Sequence, residues 1–260
     1  MILRNREGFA DFDIRPGWHE NRAPGLSGLL RVRNEAMWVD LAIASFLPWL
    51  DELIIVVQPS EDDTRAIVDR YRSSPKVRIY DYPWKSWPMG PGHDACPADS
   101  VSSAAYFYNF AQAQSTRTHA VKLDGDMVMM DWSGAEVIRL FLAGHERIKF
   151  HGTDLVGDDL RHIGCNPNCP TNGVYRVTAS TWYRQGPLTQ NLQGLTDPTV
   201  DIHEPAFLHF KWARKPLEAA TMQWPAGWQE MPHFQRIYAR RLPVAEYRGE
   251  YPASVRELLA

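Results

Sequence analysis

Two acidic residues one position apart, Asp124 and Asp126, are the best candidates for chemistry in this sequence. A short, mainly apolar run from Val121 to Leu123 precedes them, and a second run from Met127 to Met130 follows. Ionised carboxylates this close repel each other and are costly to desolvate, so a bound cation would stabilise both. Mg²⁺ and Mn²⁺ favour carboxylate oxygens and keep open positions for substrate phosphates. The pattern predicts a metal site for a phosphate-bearing ligand, with a plain polar turn as the alternative.

The elements before this pair read as a βαβαβ unit. A short buried strand is predicted within residues 26–32, and a helix begins near Asn34 and ends at Pro48. The branched run from Leu53 to Val57 is typical of a strand that is buried on both faces of a parallel sheet. A second helix follows Ser60, and a further strand spans 77–80. Such alternation predicts right-handed parallel crossovers and a doubly wound sheet.

The acidic pair falls at the end of the next strand. Residues 82–99 read as irregular, Ser100 leads a helix through Ala111, and the chain then enters a strand at 120–123. Ligands of open α/β sheets bind outside the carboxyl ends of the strands. The position of the pair therefore agrees with the chemistry that its residue types suggest.

The rest of the chain is expected to complete one α/β domain. A helix is predicted at 135–143 and strands at 148–150 and 174–177, whereas the proline spacing from Pro187 onward favours loops. We divide the chain into four parts: a lead-in over the surface (1–25), a first half that ends after the acidic pair (26–131), a second half (132–215) and a C-terminal tail that packs on the domain (216–260).

Composition narrows the class of protein. The 260 residues are 44% hydrophobic and 23% charged, which is typical of a globular chain. A net charge of -3 disfavours general binding to nucleic acid. Since the N-terminus lacks an apolar signal segment and no run approaches the length of a membrane span, a cytoplasmic protein is expected. Three cysteines are too few for a disulfide framework, and Cys165 and Cys169 are interpreted as loop thiols rather than zinc ligands.

Four segments, taken in order, resemble the family 2-like glycosyltransferases with a GT-A fold. They are Leu29–Ala36, Asp51–Val57, Ser60–Thr64 and Asp124–Asp126. The resemblance implies a Rossmann-like, mostly parallel sheet flanked by helices in a single domain. Within that domain, the resemblance implies that 26–131 is the nucleotide-sugar-binding half and 132–215 the acceptor-binding half. It also implies a metal-dependent enzyme that moves a hexose or related sugar from a nucleotide-sugar donor to a glycan or lipid-linked acceptor. Inversion at the anomeric carbon and a role in surface-polysaccharide or glycoconjugate synthesis, at the inner face of the membrane, follow by analogy.

The same resemblance assigns candidate site residues. Those expected to bind the nucleotide sugar are Arg33, Asn34, Glu35, Gln58, Lys122, Asp124 and Lys211. Relatives commonly carry an aspartate where this chain has Gln58, which can hydrogen-bond a base or ribose but supplies no charge. The resemblance also implies that Asp124, Asp126 and His209 hold Mn²⁺ or Mg²⁺. A core histidine is the alternative for His209, because apolar residues flank it.

A carboxylate that takes the proton of the attacking sugar hydroxyl completes an inverting transferase. Asp201 ranks first because it lies in the late region where the family usually keeps its base, and Glu204 lies in the same segment. Asp154 follows the strand predicted at 148–150, as do Asp158 and Asp159. A solvated surface group is the alternative interpretation of each of these carboxylates.

Two other classes of protein share parts of this pattern. A nucleotidyltransferase has a similar layout and uses carboxylate-bound Mg²⁺, but no glycine cluster follows the first strand here. A non-catalytic glycan-binding protein on a degenerate transferase fold is the third reading. The sequence does not identify the donor sugar, its base, the acceptor or the oligomeric state, and it allows a peripheral membrane contact through the tail.

Overall fold

The computed structural model describes residues 2–87, 91–157, 160, 162–164, 171–186, 190–195, 200–213 and 244–259. Twelve strands occur in these ranges: β1 (Ala23–Val32), β2 (Glu52–Val57), β3 (Val77–Asp81), β4 (Arg117–Asp124), β5 (Met127–Met129), β6 (Arg147–Gly157), β7 (His162–Gly164), β8 (Thr171–Arg176), β9 (Trp182–Gln185), β10 (Gln190–Gln193), β11 (Val200–Ala213) and β12 (Val244–Glu246). The α-helices there are α1 (Val39–Phe46), α2 (Thr64–Asp69), α3 (Pro91–Ala95), α4 (Ala104–Ala113), α5 (Ser133–Leu142) and α6 (Ala253–Leu259).

The large sheet has the strand order β12-β7-β6-β8-β4-β1-β2-β3, and β11 joins it by pairing with β6 and β5. Strands β3, β2, β1 and β4 pair in parallel. Strand β8 is antiparallel to both β4 and β6, so β6 runs in the direction of β4, and β11 is parallel to β6. Six strands therefore point their carboxyl ends to one edge. The predicted α/β class, with a mostly parallel sheet in a single domain, is confirmed.

Successive side chains of the central strands point to opposite faces of the sheet and so form two separate apolar layers. Leu30 and Ile55 face the layer covered by α1 and α5, whereas Leu29, Ile54 and Val56 face the layer covered by α4. All five side chains are at most 1% exposed, as expected for strands covered on both faces. Buried side chains of the N-terminal segment also pack into the second layer.

The N-terminal segment contributes more to the core than a surface lead-in would. Ile14 and Trp18 are buried in the second layer, and β1 already begins at Ala23. At the other end of the chain, α6 places Val255 in a third apolar cluster together with Trp38, so this part of the tail packs on the domain. No helix in the described part of the chain is long and apolar enough to cross a membrane.

The later strands depart most from the sequence-based expectation. The strand predicted at 148–150 is part of the eleven-residue β6. Strand β11 extends over fourteen residues, in a region where loops were expected. Its pairing with β6 is interrupted around Pro205, where a proline inside a strand is tolerated because the ladder is already irregular. Next to this irregularity, the Phe207 ring occupies the space where a side chain on Gly152 would lie.

Candidate functional site

The acidic pair lies in the tight turn between β4 and β5. Asp124 is the last residue of β4, and β5 starts one residue after Asp126. A Cβ atom built on Gly125 would lie 2.9 Å from Cγ of Glu35, in the loop that follows β1. Only glycine allows this approach without a shift, so the turn and the β1–α1 loop form one packed unit.

Two cations neutralise Asp124. Nη2 of Arg31 lies 3.0 Å from its Oδ1, and Nζ of Lys122 lies 2.6 Å from its Oδ2. Burial alone would raise the pKa of Asp124, but Lys122 and Arg31 more than offset this and hold the pKa well below its usual range. The Arg31 side chain is 4% exposed, and its guanidinium lies over the Tyr108 ring at 3.5 Å from the centroid. Asp124 is therefore an ionised, ion-paired group.

Asp126 belongs to a different cluster, in which His209 lies between two carboxylates. Nε2 of His209 is 3.3 Å from Oδ1 of Asp126, and Nδ1 is 2.6 Å from Oδ1 of Asp154. The side chains of all three residues are only 11–12% exposed. His209 and Asp154 are register partners on the neighbouring parallel strands β11 and β6. A backbone hydrogen bond from Phe210 N to Asp126 O, at 2.7 Å, fixes the turn against β11.

The charge of His209 is coupled to these two carboxylates. Burial by itself lowers the pKa of the imidazole, but the charge of Asp126 and the hydrogen bonds to Asp126 and Asp154 raise it to about 10. In the metal-free protein the imidazole is therefore protonated at neutral pH. It bridges the two acids as an ion-paired cation.

The free energy of unfolding of the metal-free protein should consequently depend on pH through His209. Its pKa is about 10 in the folded state and about 6.5 in the unfolded state, so its stabilising contribution is complete below pH 6.5. The contribution should disappear progressively as the pH rises from 6.5 to about 10. Urea unfolding in the presence of a chelator, from pH 6 to pH 10, measures this slope. His209→Gln should flatten it, and an unchanged slope in that variant would contradict the assignment.

The loops assigned to nucleotide binding are held mainly by one another. Asn34 has a φ of 56°, in the left-handed region that asparagine tolerates, and its Oδ1 accepts a hydrogen bond from Glu61 N at 2.9 Å. The Glu35 N–H donates to Thr64 Oγ1 at 2.7 Å. Gln58 is 6% exposed and donates from Nε2 to the Trp84 carbonyl at 2.9 Å. The amide of Gln58 is therefore committed to the loop after β3, and Arg33 is half-buried beside these loops.

The structure does not bring Asp201 to the acidic turn. Asp201 pairs with Lys149 near the start of β6, whereas His209 pairs with Asp154 five residues further along β6. At about 3.3 Å per residue, the two positions are about 16 Å apart along the sheet. Oδ1 of Asp201 instead lies 2.8 Å from Nε2 of His151. Glu204 is exposed near this same end of β11.

Several predicted residues lie partly or wholly outside the described residues. Lys211 is in β11, two residues after His209, but its side chain is not described. Asp158, Asp159, Cys165 and Cys169 fall outside these ranges altogether. Cys96 is described, and it is a buried free thiol.

Sequence reasoning missed Arg31 as part of the site. A signal for it exists, because Arg31 interrupts an otherwise apolar run on a central strand, and a charged side chain in such a place needs a partner. The role of Asp154 beside His209 was also not anticipated, since Asp154 was considered only as a catalytic base. That contact depends on the register between β6 and β11.

The donor set at Asp126 fits a divalent cation. The ligand atoms are a carboxylate oxygen and an imidazole nitrogen, and the distal ring nitrogen of His209 is held by Asp154. This carboxylate–histidine arrangement is the one by which proteins orient a metal-binding imidazole. Asp124 is the weaker candidate, because Arg31 and Lys122 already occupy its two oxygens.

Comparison with known proteins gives only distant likenesses. No family model and no curated protein matches the chain. Among solved structures, residues 1–349 of TarS from S. aureus share 12% identity over 71% of this chain, with a TM-score of 0.48. The same protein in complex with UDP-GlcNAc shares 14% identity over 72% of this chain, with a TM-score of 0.47. This chain spans 60% and 58% of those two structures.

A further likeness is to glucosyl-3-phosphoglycerate synthase from Mycobacterium tuberculosis in complex with Mn²⁺, UDP and phosphoglyceric acid. It shares 18% identity over 52% of this chain and 48% of that chain, with a TM-score of 0.36. At these identities and TM-scores, the likeness transfers no ligand and no activity to this chain.

Proposed function

We propose that this protein is a metal-dependent glycosyltransferase that uses a nucleotide-sugar donor. One observation carries the proposal: Asp126 and the Nε2 atom of His209 meet at 3.3 Å, beside the ion-paired Asp124, at the edge where the parallel strands end. That edge is where open α/β sheets bind their ligands. The cluster joins the two proposed halves of the domain, since Asp126 comes from 26–131 and His209 from 132–215.

Asp126 and His209 would hold Mn²⁺ or Mg²⁺, which stabilises the negative charge that develops on a departing nucleoside diphosphate. The protein's own residues prepare this site. Asp154 accepts the Nδ1 proton of His209, so that Nε2 is directed at Asp126. Arg31 and Lys122 keep Asp124 ionised and fixed.

The donor would lie across the loops that follow β1 and β2. In this proposal Arg33, Asn34 and Glu35 form one wall of the nucleotide pocket, and Gln58 shapes another wall through its hydrogen bond to Trp84. Lys122 and Asp124 would face the sugar, and Lys211 stays a sequence-based candidate for binding the diphosphate. The carboxylate of Asp124 and the amide of Gln58 already form contacts within the protein, so a positioning role is favoured for both side chains.

The donor sugar is proposed to be transferred, with inversion at its anomeric carbon, to a glycan or lipid-linked acceptor. The setting would be surface-polysaccharide or glycoconjugate synthesis on the cytoplasmic side of a membrane. The family resemblance supports this part. Asp154 is committed to His209, and Asp201 lies about 16 Å along the sheet from it. We therefore assign neither residue, nor the neighbouring Glu204, as the catalytic base.

A screen of nucleotide sugars by thermal shift, with and without Mn²⁺, tests the proposal. The cognate donor should raise the unfolding temperature, because a ligand at a hundred times its Kd stabilises the protein by about 2.7 kcal/mol. The rise should occur only with the metal present, since the metal is proposed to bind the donor diphosphate. Donor turnover should follow in the same conditions. Release of pyrophosphate from a nucleoside triphosphate would instead favour a nucleotidyltransferase. Absence of any Mn²⁺-dependent nucleotide binding would favour a glycan-binding protein.

A further inference from the structure

A second cluster of metal-ligating side chains lies away from the acidic turn. It consists of His151 on β6 together with Asp201 and His203 on β11. Their ligand atoms all lie within 4.8 Å of one another. Asp201 and His203 are two residues apart on one strand and face the same side of the sheet, toward which His151 also projects. The cluster is therefore assembled by strand pairing rather than by a loop.

The two oxygens of Asp201 have different surroundings. Oδ1 faces both imidazoles, with Nε2 of His151 at 2.8 Å and Nδ1 of His203 at 3.9 Å. Oδ2 lies 3.3 Å from Nζ of Lys149. Two imidazole nitrogens thus converge on one carboxylate oxygen, and the opposite oxygen is neutralised by an ammonium group. A single ion that replaced the proton in the short His151–Asp201 contact would bind these two residues directly, and a small movement of the His203 side chain would add the third ligand.

We propose that His151, Asp201 and His203 form a binding site for a borderline-soft divalent transition-metal ion, such as Zn²⁺ or Co²⁺. Two imidazoles and one carboxylate are donors that such ions prefer, whereas Mg²⁺ prefers oxygen ligands and keeps its water. With three protein ligands, the ion retains an open coordination position.

Exposure and accessibility suit such a site. The side chains of His151 and Asp201 are each 25% exposed, whereas that of His203 is 85% exposed and has room to move toward the ion. Asp201, His203 and Glu204 line a surface cavity of about 580 Å³ together with Trp132, Glu136 and Arg139 of the segment that contains α5. The open coordination position would be accessible from this cavity.

This site is separate from the proposed donor metal site, because its nearest ligand, His151, lies three residues or about 10 Å before Asp154 on β6. The two sites also differ in chemistry, since the donor site has one imidazole and the second site has two. Saturating Mg²⁺ should therefore fill the first without filling the second. The existence of the second site does not depend on the proposed transferase activity.

Calorimetric titration of the full chain with Zn²⁺, in saturating Mg²⁺ and in the Asp126→Asn background, tests the proposal. We expect one equivalent of Zn²⁺ to bind, and at least tenfold weaker binding in both His203→Ala and His151→Ala. His145→Ala is the matched control, because His145 lies outside the cluster, and it should bind Zn²⁺ as the parent does. Lys149→Met should bind Zn²⁺ more tightly, since it removes a positive charge next to the ligand oxygen.

Unchanged Zn²⁺ affinity in both histidine variants would overturn the proposal, as would the lack of any bound equivalent in the parent protein. Because His203 is 85% exposed, its replacement should not affect folding, and circular dichroism verifies this. A failed donor screen together with normal Zn²⁺ binding would reject only the transferase proposal. Metal-dependent donor binding without Zn²⁺ binding would reject only this site.

Discussion

Replacing Asp126 with asparagine should lower metal-dependent donor turnover by roughly 10²–10³-fold or more, as expected when a group that stabilises developing charge is lost. Asparagine keeps the shape of the side chain but removes the charge that faces Nε2 of His209 at 3.3 Å. Steady-state kinetics with the cognate nucleotide sugar and Mn²⁺ measures the effect. Asp11→Asn is the matched control, because that carboxylate is exposed in a short N-terminal 3₁₀ turn.

Comparison with Asp154→Asn separates a metal ligand from a residue that orients one. Asp154 contacts Nδ1 of His209, so its loss should weaken Mn²⁺ binding by about 10–100-fold. Excess Mn²⁺ should restore most of the turnover in Asp154→Asn but not in Asp126→Asn. Full turnover by Asp126→Asn at ordinary Mn²⁺ concentrations would disprove the proposed function.

Replacing Arg31 with methionine should destabilise the folded protein by about 2–3 kcal/mol. Methionine fills much of the same apolar space but removes the guanidinium that pairs with Asp124 and lies over Tyr108. The cost is below the roughly 3–5 kcal/mol of a fully buried broken pair, because Asp124 is 32% exposed and keeps Lys122 as a partner. Urea unfolding, with the midpoint and slope compared between variants, measures it.

The matched control for this variant is Arg72→Met. Asp69 is also paired with two cations, Arg65 and Arg72, but this cluster lies on the surface and the Arg72 side chain is 57% exposed. Exposed pairs contribute little, so the control should unfold near the wild-type midpoint. Equal losses in the two variants would show that the burial of Arg31 has no special importance.

The first half of the chain was predictable because its signals are local. The run from Leu53 to Val57 is apolar throughout and forms β2, which is buried on both faces. The position of Asp124 at a strand end followed from the same kind of pattern. Helix starts were less accurate: the first helix begins at Val39 rather than near Asn34, because residues 34–38 form the loop that packs on the acidic turn.

The second half was less predictable because its contacts depend on register between distant strands. The family resemblance suggested Asp201 and His209 as residues of one site, in a region where loops were expected. They lie on one strand, β11, and its pairing with β6 separates their partners, Lys149 and Asp154, by five residues. The contact between Asp154 and His209 was unpredictable for the same reason, since only the register shows that the two residues lie opposite each other.

The irregular pairing around Pro205 sets the identity of the residue that faces Asp154. From Ile202 to His209 the strand β11 advances seven residues, whereas its partner β6 advances only four, from Phe150 to Asp154. A regular ladder would instead place Ala206, which has no ligand atom, opposite Asp154. Shortening this stretch by one residue, with the upstream pairing kept, would bring Phe210 there. The residue count between Ile202 and His209 thus decides whether an imidazole faces Asp154, and natural variants should conserve the length of this segment more strictly than its composition.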